Sequence, residues 1–515
     1  MWYGRFFGKK SVQYVFLLGC CVIILVMCLF NVFFQKRVQG ELQQLLVKSK
    51  DKEIEINWEP LYFSGIESVQ IAIHGDDYSE IANINPSIGK YSFVKGTHGV
   101  LYTVSIMTVS NTGRKGMQYN YDRLFLDYSQ LPDLPLIVIE TENNLDPTYV
   151  NAIKTGSNLW GETITDNEYV KGVMSFGGDV PSMSCDAQIR VRGNTTAVNQ
   201  DKKSYKIVLD EEYDLLGRGI AYEDREWLLL NVGTDLKTYI GTYLGTYLGL
   251  EWQPQMQYVN VIMNGDWKGC YLLSESVKRS LARCSISEEG YLFENDAYWW
   301  NSKEEYFKTS FQPPQLGFTV KYPDIKDKND VRLGQLKKYM QIIEDKIMAA
   351  DEDLFEYIDA ESFVSWILVR DIMGQDDGGG SNIYYYIDKI NWDNLSENKL
   401  KMGPLWDFDI SFVREDDWSV QHGMEGLYFD YLLQNPEFRK KYVEKWKKIK
   451  DTLEDDLSKH LEELYTNLGE ELQKSRKLNA SRWMLDNSDI KDEMEYYMDW
   501  IERRIQWMST AMGVE

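Results

Sequence analysis

The segment GQDDGGGSNIYYYID, Gly374 to Asp388, sets two adjacent aspartates before three glycines, an asparagine and three tyrosines. Glycine leaves the backbone almost unrestrained, so like charges placed there call for an explanation. An ordinary turn, a calcium loop and a loop that handles phosphate and metal all compete. The calcium loop fails on spacing: an EF-hand wants oxygens at alternating positions, one glycine midway and a closing glutamate. Here the glycines arrive together and no glutamate follows. A Walker cradle, GxxxxGK[ST], is absent as well.

What fits is the spacing Asp377-x-x-x-x-Asn382, followed downstream by Asp407-Phe408 in GPLWDFDISF (Gly403 to Phe412). Phosphoryl transfer needs an aspartate to orient the acceptor hydroxyl, and an asparagine and a second aspartate to hold metal ions. Asp407 and Asp409 sit among Trp406, Phe408, Ile410 and Phe412, an apolar frame in which carboxylates persist when paired or metal-bound. If the segment is extended, Asp407, Asp409 and Ser411 point the same way and form a hard-oxygen site suited to Mg²⁺ or Mn²⁺. The same aspartates would also serve as turn caps that accept backbone N–H groups.

Working outward, AESFVSWILVRDIMG (Ala360 to Gly374) has helical periodicity. DAQIRVRGN (Asp186 to Asn194) and KKSYKIVLD (Lys202 to Asp210) read as a hairpin. QYVNVIMNGDWKGCYLLSESVKR reads as another, turning at Asn264-Gly265-Asp266. Gly241, Gly245 and Gly249 form one stripe on a helix, which predicts a very close neighbour. Ile54 to about Gln130 is β-like, and the last hundred or so residues are amphipathic helix. Tyr14 to Phe34 is an uncharged apolar run long enough to span a bilayer.

Composition bounds the function. The chain has 515 residues, 43% of them hydrophobic and 14% aromatic, which suits packed domains rather than disorder. A net charge of −24 argues against a nucleic-acid partner. The 4 histidines fall in no metal-ligand spacing, and the 6 cysteines follow no CxxC pattern.

Four segments in order, IRVRGNTTAVNQDKKSYKIVL, YVNVIMNGDWKGCYLLSESV, QDDGGGSNIYYYID and GPLWDFDISF, resemble the CotH family of spore-coat-type atypical protein kinases. The resemblance runs from about Leu136 to the C-terminus. It implies ATP with Mg²⁺ or Mn²⁺, and transfer of the γ-phosphoryl group to Ser or Thr of an exported or surface protein. By motif, Asp377 matches the catalytic aspartate, and Asn382, Asp407 and Asp409 match the metal-binding positions. Glu275 matches a glutamate that pairs with a phosphate-contacting lysine, either Lys203 or Lys206. Arg192 opens the RGN turn, as a phosphate contact or as a solvated strand residue. Asp235 keeps its family position, but Ile240 stands where relatives often carry arginine.

The expectation is therefore an α+β chain with a divergent protein-kinase-like core and a helical C-terminal tail, preceded by a transmembrane helix and a small β-rich domain. Its parts are a cytoplasmic N-terminus (1–13), an anchor (14–34), a stalk (35–53), a β-rich domain (54–130) and a CotH-like kinase domain (131–515) with its tail from about 420. The bulk of the chain is expected outside the cytoplasm on a single-pass membrane anchor. The rival expectation is a non-catalytic surface adhesin or scaffold that keeps the fold.

Overall fold

The computed structural model describes residues 42–514, apart from 63–64, 150, 153–163, 166–167, 178–180, 194, 233, 297–303, 313–315, 377–381 and 419–428. Contacts divide the chain into two units. The first runs to Leu131 and takes in Gly265–Trp267; the second covers Pro132–Asn264 and Lys268–Glu515.

The first unit is built of antiparallel strands. Strands β1 (Leu46–Lys50), β2 (Glu53–Asn57), β3 (Ile66–His74), β4 (Ser79–Ile84), β5 (Lys90–Phe93), β6 (Leu101–Ser110) and β7 (Tyr119–Leu124) form sheets of order β1-β2-β5 and β4-β3-β6-β7. Alternation sends Val69, Ile71 and Ile73 of β3 and Tyr102, Val104 and Ile106 of β6 into one buried core.

The second unit begins with a closed barrel. Its strands are β8 (Leu136–Thr141), β11 (Val170–Gly177), β12 (Pro181–Arg192), β13 (Ser204–Tyr213), β14 (Asp224–Leu230), β15 (Met256–Met263) and β16 (Asp266–Glu275), with a separate ladder of β9 (Asn151–Ala152) and β10 (Ile164–Thr165). Their order is β11-β12-β13-β14-β16-β15-β8. Closure comes from β8, which pairs antiparallel with β11 and parallel with β15. The turn at Asn264 and Gly265 takes both residues to positive φ, 53° and 72°, as a tight hairpin requires. Trp227, Leu229, Tyr271 and Leu273 fill the barrel. Their neighbours Leu228, Leu230, Cys270 and Leu272 face the opposite way into a second, helical core.

Beside the barrel in sequence comes a five-stranded sheet of β17 (Tyr291–Asp296), β18 (Tyr306–Phe307), β19 (Gly317–Tyr322), β20 (Ile383–Ile387) and β21 (Lys401–Met402), ordered β18-β19-β17-β20-β21. The helices are α1 (Thr195–Asn199), α2 (Lys237–Tyr247), α3 (Val331–Met348), α4 (Leu354–Tyr357), α5 (Ala360–Ile372), α6 (Phe429–Gln434), α7 (Pro436–Ile449), α8 (Leu453–Trp483) and α9 (Ile490–Met512). Helix α5 packs against α2, α7 and α9.

Two expectations are corrected. The chain is β-rich, built on a seven-stranded barrel and sheets, and the expected α+β, protein-kinase-like core is not what these elements form. Motifs report local segments, whereas the barrel closes through the pairing of β8 with strands far along the chain. The expected single-pass membrane placement is also not supported. Among the described residues no helix is long and apolar enough to cross a membrane. The longest, α8, carries Glu454, Asp455 and Asp456 in its first turn alone. The run Tyr14 to Phe34 lies outside the described residues.

Candidate functional site

Helix α5 positions the centre of the site. Asp359 caps it by accepting the Ser362 backbone N–H at 2.8 Å, and every residue from Phe363 to Ile372 is buried. A helix enclosed on all sides can carry a charge only where partners await it. Arg370 meets that condition. Its guanidinium donates to the carbonyls of Trp406 (2.7 Å) and Asp407 (3.1 Å) and lies over the rings of Trp366 and Phe408. The next residue, Asp371, accepts the Tyr442 hydroxyl at 2.7 Å, and its carbonyl accepts Arg504 Nε at 2.8 Å.

Arg370 thus holds the WDFD segment by its backbone, and the segment is a loop rather than a strand. Asp407 is left-handed, with φ of 62°, which turns the chain there. The chain reversal separates the groups expected on one face. Asp407 is half-buried, Asp409 is exposed and Ser411 is buried. The Asp409 carbonyl accepts Lys237 Nζ at 2.9 Å. Phe408 lies against α2, where a Cβ on Gly241 would sit 2.3 Å from the Phe408 ring. Of the three glycines, Gly241 has found this close neighbour; Gly245 meets the Gln253 side chain instead, and Gly249 lies past the end of α2 with φ of 82°.

Asn382 reaches the same point from the start of β20. It too is left-handed, with φ of 60°, and its Nδ2 donates to Asp407 Oδ2 at 3.1 Å. Two non-glycine residues in this sparsely populated region, joined side chain to side chain, mark a place the surrounding structure over-determines. The opening segment is anchored here as well. Asp376 N–H donates to the Ile410 carbonyl at 3.0 Å, Phe412 N–H to Met373 at 2.6 Å, and the Asp376 carboxylate pairs with Arg414. Asp377 lies outside the described residues.

Arg192 closes β12 with its guanidinium 5.5 Å from the Trp406 ring centre. Burial pushes its pKa below the usual value, while the Tyr384 phenol and the Asp407 carboxylate favour its charged form. Glu275 is fully buried at the end of β16. It accepts Arg218 Nη2 at 2.8 Å and the Gln255 N–H at 2.9 Å, with Arg283 Nε at 3.7 Å. The two candidate lysines go elsewhere. Lys203 Nζ donates to the Ala197 carbonyl at 2.9 Å, and Lys206 pairs with Glu226 at 2.6 Å. Alternation explains this: Tyr205, Ile207 and Leu209 fill the barrel, so Lys206 faces outward. Lys202 is buried at the Cys270 carbonyl over the Tyr271 ring, and burial pushes its pKa down to about 8. Asp235 accepts the Lys237 N–H at 2.7 Å as α2 begins.

The structure therefore brings Asn382, Asp407 and Arg192 together, leaves Asp409 facing solvent, and sets Glu275 among arginines. Sequence reasoning missed Arg370, although an arginine inside the apolar run WILVRDI was a visible signal.

Residues 189–508 match the family described as CotH kinase protein, more than half of the chain, and the protein belongs to that family. No curated protein matches. A solved structure of the twitchin kinase region from C. elegans is similar over 72% of this chain and 52% of its own, at 8% identity and a TM-score of 0.18. The chain spans about half of that structure, and at this score the likeness carries no argument.

Proposed function

We propose that this protein is an ATP-dependent atypical protein kinase that transfers the γ-phosphoryl group to a serine or threonine hydroxyl of a protein substrate. The observation that carries the reading is the contact between Asn382 and Asp407. An amide and a carboxylate held together on strained backbone fit the asparagine and aspartate of a phosphoryl-transfer site. Among the described residues no group of three or more His, Cys, Asp or Glu could hold a metal. A Mg²⁺ or Mn²⁺ site of this kind needs only one or two protein side chains, with phosphate and water completing the shell. Asn382 and Asp407 would hold that ion, which when bound neutralises charge on the phosphates. Arg192, beside Asp407, would add a second positive group.

The reading gives Asp377 the acceptor hydroxyl. The new P–O bond forms as the bond to the β-phosphate bridging oxygen breaks, the hydroxyl proton passes to the Asp377 carboxylate, and ADP leaves. The test is incubation of the full chain with labelled ATP, Mg²⁺ or Mn²⁺ and a serine-rich protein. The wild type is expected to label itself or the substrate, and Asp377→Ala and Asp407→Ala to lower labelling by about a hundredfold or more. A wild type that labels nothing, or variants that label equally well, would overturn the reading and favour a scaffold.

A further inference from the structure

A lysine–glutamate pair lies close to this site, on elements the motifs do not mark. Glu294 is in β17, opposite Thr319 of β19 on one side and Tyr384 of β20 on the other. Lys321 Nζ sits 3.0 Å from Glu294 and 2.8 Å from Glu304. The ladder between β17 and β19 runs in register up to Phe293 and Val320, then slips so that Leu292 faces Tyr322. Lys321 is the residue left over at that slip, and such irregularities re-aim a side chain, often beside an active site.

Tyr384 links the pair to Asn382 and Asp407. It lies two residues past Asn382, and Gly403, in the approach to Trp406, donates its N–H to the Tyr384 carbonyl at 2.6 Å. Glu294 faces Tyr384 across the β17–β20 ladder, and the next pair along it is Asn295 with Ile383, the residue after Asn382. The pair and Asn382 therefore share one stretch of sheet. Lys321 is held in it by two unequal partners: the Glu294 side chain is 11% exposed, that of Glu304 43%. The buried partner fixes the lysine; the exposed one can be exchanged.

We propose that Lys321, fixed by Glu294, is the lysine that contacts the phosphates of a nucleotide, and that Glu304 occupies the position a phosphate oxygen takes. The proposal rests on the kinase reading above and replaces Lys203 and Lys206 in the lysine's role. A cation set by a buried glutamate delivers its charge in a fixed place, as phosphate recognition requires. The phosphate and Glu304 then compete for the same ammonium group, which gives two substitutions of opposite sign.

The experiment measures affinity by titration calorimetry on the full chain, with a magnesium-loaded, non-hydrolysable ATP analogue and with adenosine as the phosphate-free control. Lys321→Gln is expected to weaken the analogue about tenfold or more while leaving adenosine unchanged. Glu304→Gln is expected to tighten the analogue. Glu304 is exposed, so this variant tests the proposal even if Lys321→Gln disturbs folding. A wild type that binds the analogue while both variants match it would overturn the proposal alone. Equal weakening of analogue and adenosine would do the same, by assigning Lys321 a merely structural role. A wild type that binds no analogue would overturn the kinase reading together with it.

Discussion

Asp407 and Asn382 show what single residues contribute: each accepts an unfavourable left-handed backbone, and together they place an amide against a carboxylate. Other residues store protons instead. Burial pushes the Glu344 carboxyl up to about 7, against a hydrogen bond from Gln312, and pushes Asp235 up to about 6, against Lys237. Between the unfolded value near 4.5 and the folded value near 7, the folded chain holds a proton on Glu344 that the unfolded chain has lost. Stability from this group is therefore full below the unfolded pKa and falls as pH rises through 7. Glu344→Gln is expected to flatten urea-determined stability between pH 5 and 8, removing a slope of roughly 2–3 kcal/mol. A variant with the wild-type slope would show that Glu344 is ionised and accommodated. At this scale the spacing pointed to Asn382 and Asp407, which the structure joins, whereas Asp409 faces solvent and Asp377 lies outside the described residues. It did not disclose Lys321, whose role depends on a register slip against a strand far away in the chain.

Elements built from local pattern were readable. The hairpins became β12 with β13 and β15 with β16, and the apolar helix became α5. The WDFD segment would align its aspartates only if extended, as alternation of apolar and acidic residues allows, and it is a loop. Its true shape is imposed by Arg370, which takes two consecutive carbonyls. Gly241 on α2 has a testable weight. Alanine is favoured over glycine in a helix by about 1 kcal/mol, but a Cβ at 241 would lie 2.3 Å from the Phe408 ring. Overpacking of this kind costs about 1–3 kcal/mol. Gly241→Ala is therefore expected to destabilise the chain in chemical denaturation despite its better propensity. A stabilised variant would mean that the ring moves aside freely.

For the whole molecule, membership of the CotH kinase family was legible from four ordered motifs, while the architecture that carries them was not. Barrel closure depends on β8 meeting β15 and β11, a long-range pairing that no local pattern encodes. The second unit also depends on its last helix. Phe412, just past the WDFD loop, packs at a tilt against Tyr497, ring centres 4.4 Å apart, and meets Trp500 edge-on at 5.7 Å. Arg504 donates to the carbonyls of Asp371 and Glu415. Truncation after Ser488 is expected to abolish cooperative thermal unfolding of the second unit, since it strips this apolar cover and leaves buried carbonyls without donors. A truncated chain that melts as sharply as the full one would show that α9 is an appendage.

The fit of Phe408 into the notch at Gly241 also constrains the order in which the sequence can change. A mutational walk that first places alanine at 241 must pass through a chain in which the methyl and the ring claim one volume. A walk that first trims Phe408 to leucine opens that volume and can then accept the alanine. The two substitutions are epistatic, and one of their two histories is far less accessible than the other. The loop bearing Asp407 is thus tied, through one missing methyl group, to a helix more than a hundred and fifty residues earlier in the chain.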